Sequence, residues 1–247
     1  MLAGQTIDKL EALGLAAMAT GLSEQLCAPG TYDGLSFADR LGLLVDKEAD
    51  ARDSRRLASR LKAAKLRHPA SVEDIDFRAP RGLDRSVVLG LAQGPWVREH
   101  HNVLVTGPTG CGKSFLACAL ANSAVRQGHT ALYVRTPRLL DDLALGRADG
   151  RYARLLSQLA RVSVLVLDDF LLTPASVEAC RDLLEVIEDR TGLRSTVVAS
   201  QVPVDKWHPS MAGPTLADAV VDRLFQAAHR ITMKGASMRK RQPAPAP

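Results

Sequence analysis

Eight consecutive residues, Gly107-Pro108-Thr109-Gly110-Cys111-Gly112-Lys113-Ser114, fit the pattern G-x-x-x-x-G-K-[ST]. Glycines in such a loop let the backbone wrap a phosphate closely. Successive N–H groups, with the N-terminus of a following helix, then form an anion site. Lys113 is placed to reach the β- and γ-phosphates, and the Ser114 hydroxyl to ligate Mg²⁺. A glycine-rich turn that happens to end in Lys-Ser would look the same by itself, so the flanks decide. Asn102-Val103-Leu104-Val105-Thr106 reads as a buried strand leading in, and Phe115-Leu116-Ala117-Cys118-Ala119-Leu120-Ala121 as a helix leading out. The pattern predicts that residues 107 to 115, through Phe115, hold a nucleotide.

A second chemical signal follows an apolar run from Val162 to Leu167, which ends in Asp168-Asp169. A buried strand that delivers an acid to its C-terminal tip places it where α/β sheets put ligand chemistry. Asp168 is therefore expected to hold Mg²⁺, directly or through water. Asp169 stands where many P-loop ATPases carry Glu as general base, with an acid one carbon shorter. The alternative for the pair is a capped turn after a strand. A further strand, Ser195-Thr196-Val197-Val198-Ala199, ends at Ser200-Gln201, whose polar groups would lie between the γ-phosphate and these acids and orient the water. Far along the chain, Arg223 follows the helical stretch from Leu216. It suits either a reach to a neighbouring subunit's γ-phosphate or a surface pairing with Asp218 or Asp222.

The elements that must position these groups follow from periodicity. Thr130-Ala131-Leu132-Tyr133-Val134 reads as a strand, with helices near 137 to 145 and 151 to 160, a helix near 175 to 191, and a last strand near 229 to 233. One strand pattern between the P-loop strand and the Asp168 strand implies that those two are not adjacent, as in the additional-strand class of P-loop ATPases. Glu178, Glu185, Glu188 and Arg190 read mostly as surface charges. Ahead of this domain, residues 70 to 100 form a connector with a short helix, in which Trp96 is expected in the core and His100-His101 to be structural. Residues 1 to about 70 read as helical, with one helix from Phe37 to Arg67 turning Leu41, Leu44, Val45, Leu57 and Leu61 toward a core before His68-Pro69 stops it.

Composition narrows the class. The chain has 247 residues, 46% hydrophobic and 24% charged, and a formal net charge of +5, which suits a polyanionic partner. No apolar run approaches the ~20 residues of a membrane span, no export signal is expected, and the four cysteines have neither zinc nor disulfide spacing, so a reduced cytoplasm is the expected home. Between Arg52 and Arg67 stand seven Arg or Lys residues against one acid, Asp53. Arg52, Arg55, Arg56 and Arg60 share one helix face, either a solvated surface or a face that tracks DNA phosphates. The base-reading Asn-Lys-x-Asp of GTPases is absent. The arginines at 135, 138, 147, 151 and 154 could imitate a nucleoside-kinase lid.

Taken together, GPTGCGKS, VLVLDDF, STVVASQVPVDKWH, ADAVVDRL and KGASMRK resemble the IstB-like ATPases, relatives of the helicase loader DnaC, as does the segment FADRLGLLVDKEADARDSRRLASRLKAAKLR. The likeness covers the chain apart from its tail. It implies an α/β fold: a P-loop AAA+ ATPase core with a parallel sheet flanked by helices, a small all-helical N-terminal domain and a truncated C-terminal lid. The implied boundaries are 1–69, 70–241 and a disordered tail at 242–247. The implied ligands are ATP and Mg²⁺. The implied partners are duplex DNA, a transposase and further copies of the chain, with ATP between subunits, and no membrane. By position, Ser200 with Gln201 resembles sensor one, Arg223 the arginine finger acting in trans, and Arg239 the sensor-two arginine. Slow ATP hydrolysis, stimulated by DNA or partner, is the implied activity. A replicative helicase loader shares the same core and is the nearest alternative; a small-molecule phosphotransferase is a more distant one.

Overall fold

The computed structural model describes residues 2–238, so Arg239 and the expected tail at 242–247 lie outside the described residues. The chain packs as two compact units that divide between Ser59 and Arg60, ahead of the expected 69/70 boundary and inside one long helix.

The first unit is helical: α1 (Leu2–Ala12), α2 (Ala16–Cys27), the single turn α3 (Pro29–Tyr32), and the body of α4 (Phe37–Ala64). Its organising group is Glu48 of α4, which is buried and accepts from the Ala17 and Met18 backbone N–H groups at 3.0 and 3.2 Å. Those are orphan donors of the first turn of α2, which has no side-chain cap of its own. Two expectations for α4 are corrected. Leu44 is buried, but Leu41 and Val45 are exposed, as are Phe37 and Leu43. The helix also stops at Ala64 rather than Arg67, because Lys65 takes a left-handed φ of 50°.

The second unit begins at Arg60. A connector with α5 (Arg85–Ala92) and α6 (Pro95–Arg98) precedes β1 (Asn102–Thr106) and α7 (Lys113–Arg126). Trp96 is buried there and donates to the Leu91 carbonyl at 2.8 Å, as a core residue. Then come β2 (Ala131–Arg135), α8 (Thr136–Asp149), α9 (Tyr152–Arg161), β3 (Val164–Asp168), α10 (Val177–Glu188), β4 (Ser195–Ser200), α11 (Pro214–Phe225) and β5 (Ala228–Thr232). The five strands form one parallel sheet in the order β2-β3-β4-β1-β5. Strand β4 thus separates the P-loop strand from the Asp168 strand, as expected.

Parallel strands covered on both faces read as continuous apolar runs, and β1, β3 and β4 are buried throughout. Helix α7 packs on β1 to β4. On one side of the sheet Leu104 and Val198 join Phe170, Leu183, Trp207 and Leu224, while Leu165 and Leu167 join Leu139, Leu143 and Leu159. Burying a leucine of this size contributes roughly 2 kcal/mol. The packed layers hold the carboxyl ends of β1, β3 and β4 in fixed positions.

Candidate nucleotide site

The loop between β1 and α7 is shaped by three glycines at positive φ, Gly107, Gly110 and Gly112. Gly107 has φ +149°, and a Cβ there would meet the Met233 carbonyl at 2.4 Å. Gly112, at φ +102°, is the N-cap of α7, and its Cβ would lie 2.8 Å from the Arg81 guanidinium. No side chain caps α7, so the first-turn N–H groups at Lys113, Ser114 and Phe115 face the loop's concave side as an anion site. That uncapped terminus, with the glycine-only backbone ahead of it, fits a phosphate chain.

A cleft of about 200 Å³ opens here, and Thr109, Gly110, Gly112, Lys113, Ser114, Phe115, Asp169 and Gln201 all line it. The Lys113 ammonium donates to the Pro108 carbonyl at 2.8 Å, which keeps it folded over the loop. Cys111 is buried, its carbonyl accepting from Arg81 at 3.2 Å. Arg81 is itself buried, and its own carbonyl accepts from Lys234 N–H at 2.7 Å. Met238 N–H donates to the Gly110 carbonyl at 2.9 Å. The connector and the segment after β5 therefore brace the loop together, a long-range arrangement that no local pattern announces.

Asp168 ends β3 with 1% exposure. Its Oδ2 accepts from the Tyr133 hydroxyl at 2.5 Å and lies 3.7 Å from the Arg67 guanidinium, while Oδ1 accepts from Asp169 N–H at 3.0 Å. Burial, with the Asp168 carboxylate beside it, pushes the Tyr133 phenol well above its ordinary range, so it stays a donor. Asp169 has φ +55°, uncommon for a residue with a side chain and characteristic of functional turns. Its Oδ2 accepts from Arg135 Nε at 2.8 Å.

The two residues read as sensor one separate. Gln201 lines the cleft and accepts from the Thr109 hydroxyl. Ser200 does not face it: it is fully buried, its Oγ donates to the Phe170 carbonyl at 2.6 Å and accepts from Val202 N–H at 3.1 Å. It ties the tip of β4 to the turn after β3. The expectation that its hydroxyl orients water is corrected accordingly.

Arg223 lies in the last turn of α11 and pairs with Glu188, not with Asp218 or Asp222. Asn102, the first residue of β1, donates to the carbonyls of Arg223 and Leu224 at 3.3 and 3.2 Å. This puts Arg223 at the amino end of the sheet, a strand length of about 13 Å from the P-loop. The basic face of α4 is also less free than its sequence suggests. Arg52 and Arg55 bond to Glu48 at 2.9 and 3.2 Å, and Arg56 pairs with Asp53 at 3.3 Å. The Arg52 guanidinium in turn holds the Glu48 carboxyl below its ordinary range. Arg60 is half-buried beside Gly128. Nor do the arginines at 135 to 151 converge as a lid: Arg135 bonds to Asp169, Arg147 to Asp182 and Arg151 to Asp149. Arg190 is no surface charge, being 1% exposed and bonded to the carbonyls of Leu159, Val162 and Ser195 and to the Thr196 hydroxyl. Among the described residues no group of three or more His, Cys, Asp or Glu is placed to hold a metal, and no helix is long and apolar enough to cross a membrane.

Sheet order, P-loop and Asp168 define a P-loop protein of the additional-strand class. Solved structures agree with the fold. DnaI shares a TM-score of 0.58 at 21% identity, covering 67% of this chain and 91% of that one. The DnaC helicase loader shares 0.53 at 21%, covering 71% and 99%. The IstB-like ATP binding protein model matches residues 8–246. An insertion sequence ATP-binding protein of Sinorhizobium fredii is 50% identical over 98% of both chains. The IS1162 ATP-binding protein of Pseudomonas fluorescens is 49% identical, covering 82% of this chain and 88% of that one. The chain belongs to the IstB-like ATP binding family of insertion sequences.

Proposed function

We propose that this protein is an ATPase that assembles on duplex DNA when ATP is bound and assists the transposase of an insertion sequence. The family supports the insertion-sequence setting. The position of Arg223 carries the assembly reading. A cationic side chain at the opposite end of the sheet from its own P-loop serves that P-loop only if it belongs to another copy. Supplied in trans, its guanidinium stabilises the charge that develops on the transferring phosphoryl group.

Within one copy, Lys113 and the N-terminus of α7 bind the phosphates, and Ser114 with Asp168 would hold Mg²⁺. That ion neutralises phosphate charge when bound. Asp169 accepts the proton of the attacking water, and Gln201 helps to place that water. Because Arg135 already occupies an Asp169 oxygen, turnover is slow until DNA or a partner rearranges the pair. The protein acts in the cytoplasm, and Arg239 serves as the second sensor arginine. Exposed portions of Arg52, Arg55 and Arg56 contact the DNA backbone, a role weakened but not removed by their pairing with Glu48 and Asp53. Affinity for duplex should then fall steeply with salt and show little sequence preference.

The test is the mass of the protein on duplex DNA with ATP and with ADP, for wild type, Lys113→Ala and Arg223→Ala. Large complexes that need both ATP and duplex, and that both variants abolish, are expected. A protein that remains monomeric on duplex in every state would refute assembly through Arg223. Retrieval of a replicative helicase rather than a transposase by the tagged protein would favour helicase loading.

A further inference from the structure

A carboxylate as deeply buried as Asp168 is costly without a nearby counter-charge. In the structure that charge is Arg67, whose guanidinium is 3.7 Å from Oδ2, the oxygen that also accepts from Tyr133. Arg67 belongs to neither the P-loop nor β3. It lies in the connector behind α4, just past the left-handed Lys65. Its side chain is 41% exposed and lines the same cleft as Lys113, Ser114 and Asp169. A long cation with its head 3.7 Å from a buried carboxylate, beside the Tyr133 hydroxyl, and its flank in a phosphate cleft has two anions within reach.

We infer that Arg67 reads the terminal phosphate of the nucleotide bound by its own subunit: it neutralises Asp168 in the nucleotide-free protein and transfers to the γ-phosphate when a nucleoside triphosphate enters. The inference rests on the nucleotide-binding reading of the cleft. A divalent cation shared by Ser114 and Asp168 would set a second positive charge beside the guanidinium and repel it. A γ-phosphate held by Lys113 offers an acceptor that matches the planar guanidinium fork. A diphosphate offers no oxygen at that depth, so Arg67 returns to Asp168. ATP and ADP are thereby distinguished within one chain, before any second copy arrives. The switch is carried by the stretch Lys65–Arg67, which lies directly behind α4.

Equilibrium titration of the full-length protein with Mg·ATP and Mg·ADP separates the possibilities. Arg67→Ala is expected to lower ATP affinity by about 10- to 100-fold, the range of a charge-assisted hydrogen bond, while ADP affinity stays within about threefold. Arg67→Lys should recover part of the ATP affinity, because it keeps the charge but not the fork. Equal losses for both nucleotides, or no loss for either, would overturn the inference. Wild-type protein that binds neither nucleotide would overturn the reading of the cleft as well, an outcome distinct from the others. A nucleotide-free measurement tests the other half: Arg67→Ala should lower Tm, and adding Asp168→Asn should restore it. No fall, or a fall that Asp168→Asn leaves unchanged, would exclude Arg67 as the counter-charge.

Discussion

On the proposed reading, the charged groups at the carboxyl ends of β1, β3 and β4 are exchangeable. Asp168 is held by Arg67 and Tyr133, Asp169 by Arg135, and Lys113 by a loop carbonyl. At the amino ends of the same strands, Arg190 is locked by three carbonyls and a hydroxyl, each supplied by the protein. Burial there pushes its guanidinium below the ordinary arginine range, with Arg194 adding to the effect. Arg223, near the same end, pairs among the described residues with the exposed Glu188 and a carbonyl of its own helix. The difference shows how burial sorts like residues into different tasks. An arginine whose donors are all used inside the fold is structural, whereas one held by a single surface carboxylate can be released to a ligand at little cost.

The largest expected effect tests the locked end. Arg190→Met strands three carbonyls and a hydroxyl, at a cost of about 3 kcal/mol or more. For a chain of this size that lowers Tm by roughly 6–12 °C. A thermal melt within about 2 °C of wild type would erase the distinction between the two arginines. Arg223→Ala, by contrast, should shift stability by less than about 1 kcal/mol, the scale of an exposed ion pair, even as it abolishes assembly.

At the exchangeable end, Arg135→Ala frees Asp169. Basal ATP hydrolysis should rise about two- to fivefold, again the scale of one exposed pair. A steady-state assay in which the rate stays level or falls would remove Arg135 as a restraint.

The smallest effect concerns His229 of β5, whose ring lies 5.7 Å from that of His101. Partial desolvation of this largely exposed ring, and then His101, hold its pKa below the ordinary histidine value, against a smaller opposing pull from Glu99. The unfolded chain therefore takes up the proton first, and stability falls as pH drops below the usual histidine range. His229→Gln should flatten that fall between about pH 7 and 5, by under about 1 kcal/mol. An unchanged slope of Tm against pH would assign the fall to other groups.

Legibility in the sequence followed the range over which each feature is determined. The P-loop, β1, β3 and β4 are local patterns: a glycine-bounded loop and apolar runs too continuous for anything but strands covered on both faces. They could be read directly. The partners of Asp168 could not, because Tyr133 sits on another strand and Arg67 in the connector behind α4, and nothing in their neighbours marks either. Arg190 misled for the opposite reason. An arginine at the end of an acidic helix looks like a solvated charge, and only the meeting of α9, α10 and β4 reveals the carbonyls that enclose it. Ser200 occupied the right strand tip, but a strand's alternation sends adjacent side chains to opposite faces, so only Gln201 reached the cleft. In α4 the apolar residues are spread around the helix, and periodicity gave no sound choice among Leu41, Leu44 and Val45.

The outermost strand has a consequence for how copies of the chain can meet. β5 lies at the sheet's edge, beyond β1, and along it stand His229 and Arg230, the latter stacked 4.3 Å above the Phe225 ring. A neighbour adding its own strand there would bring its backbone against that charge, and charged edge residues oppose such pairing. Continuous sheets shared between molecules, which once formed are slow to come apart, are disfavoured at this border.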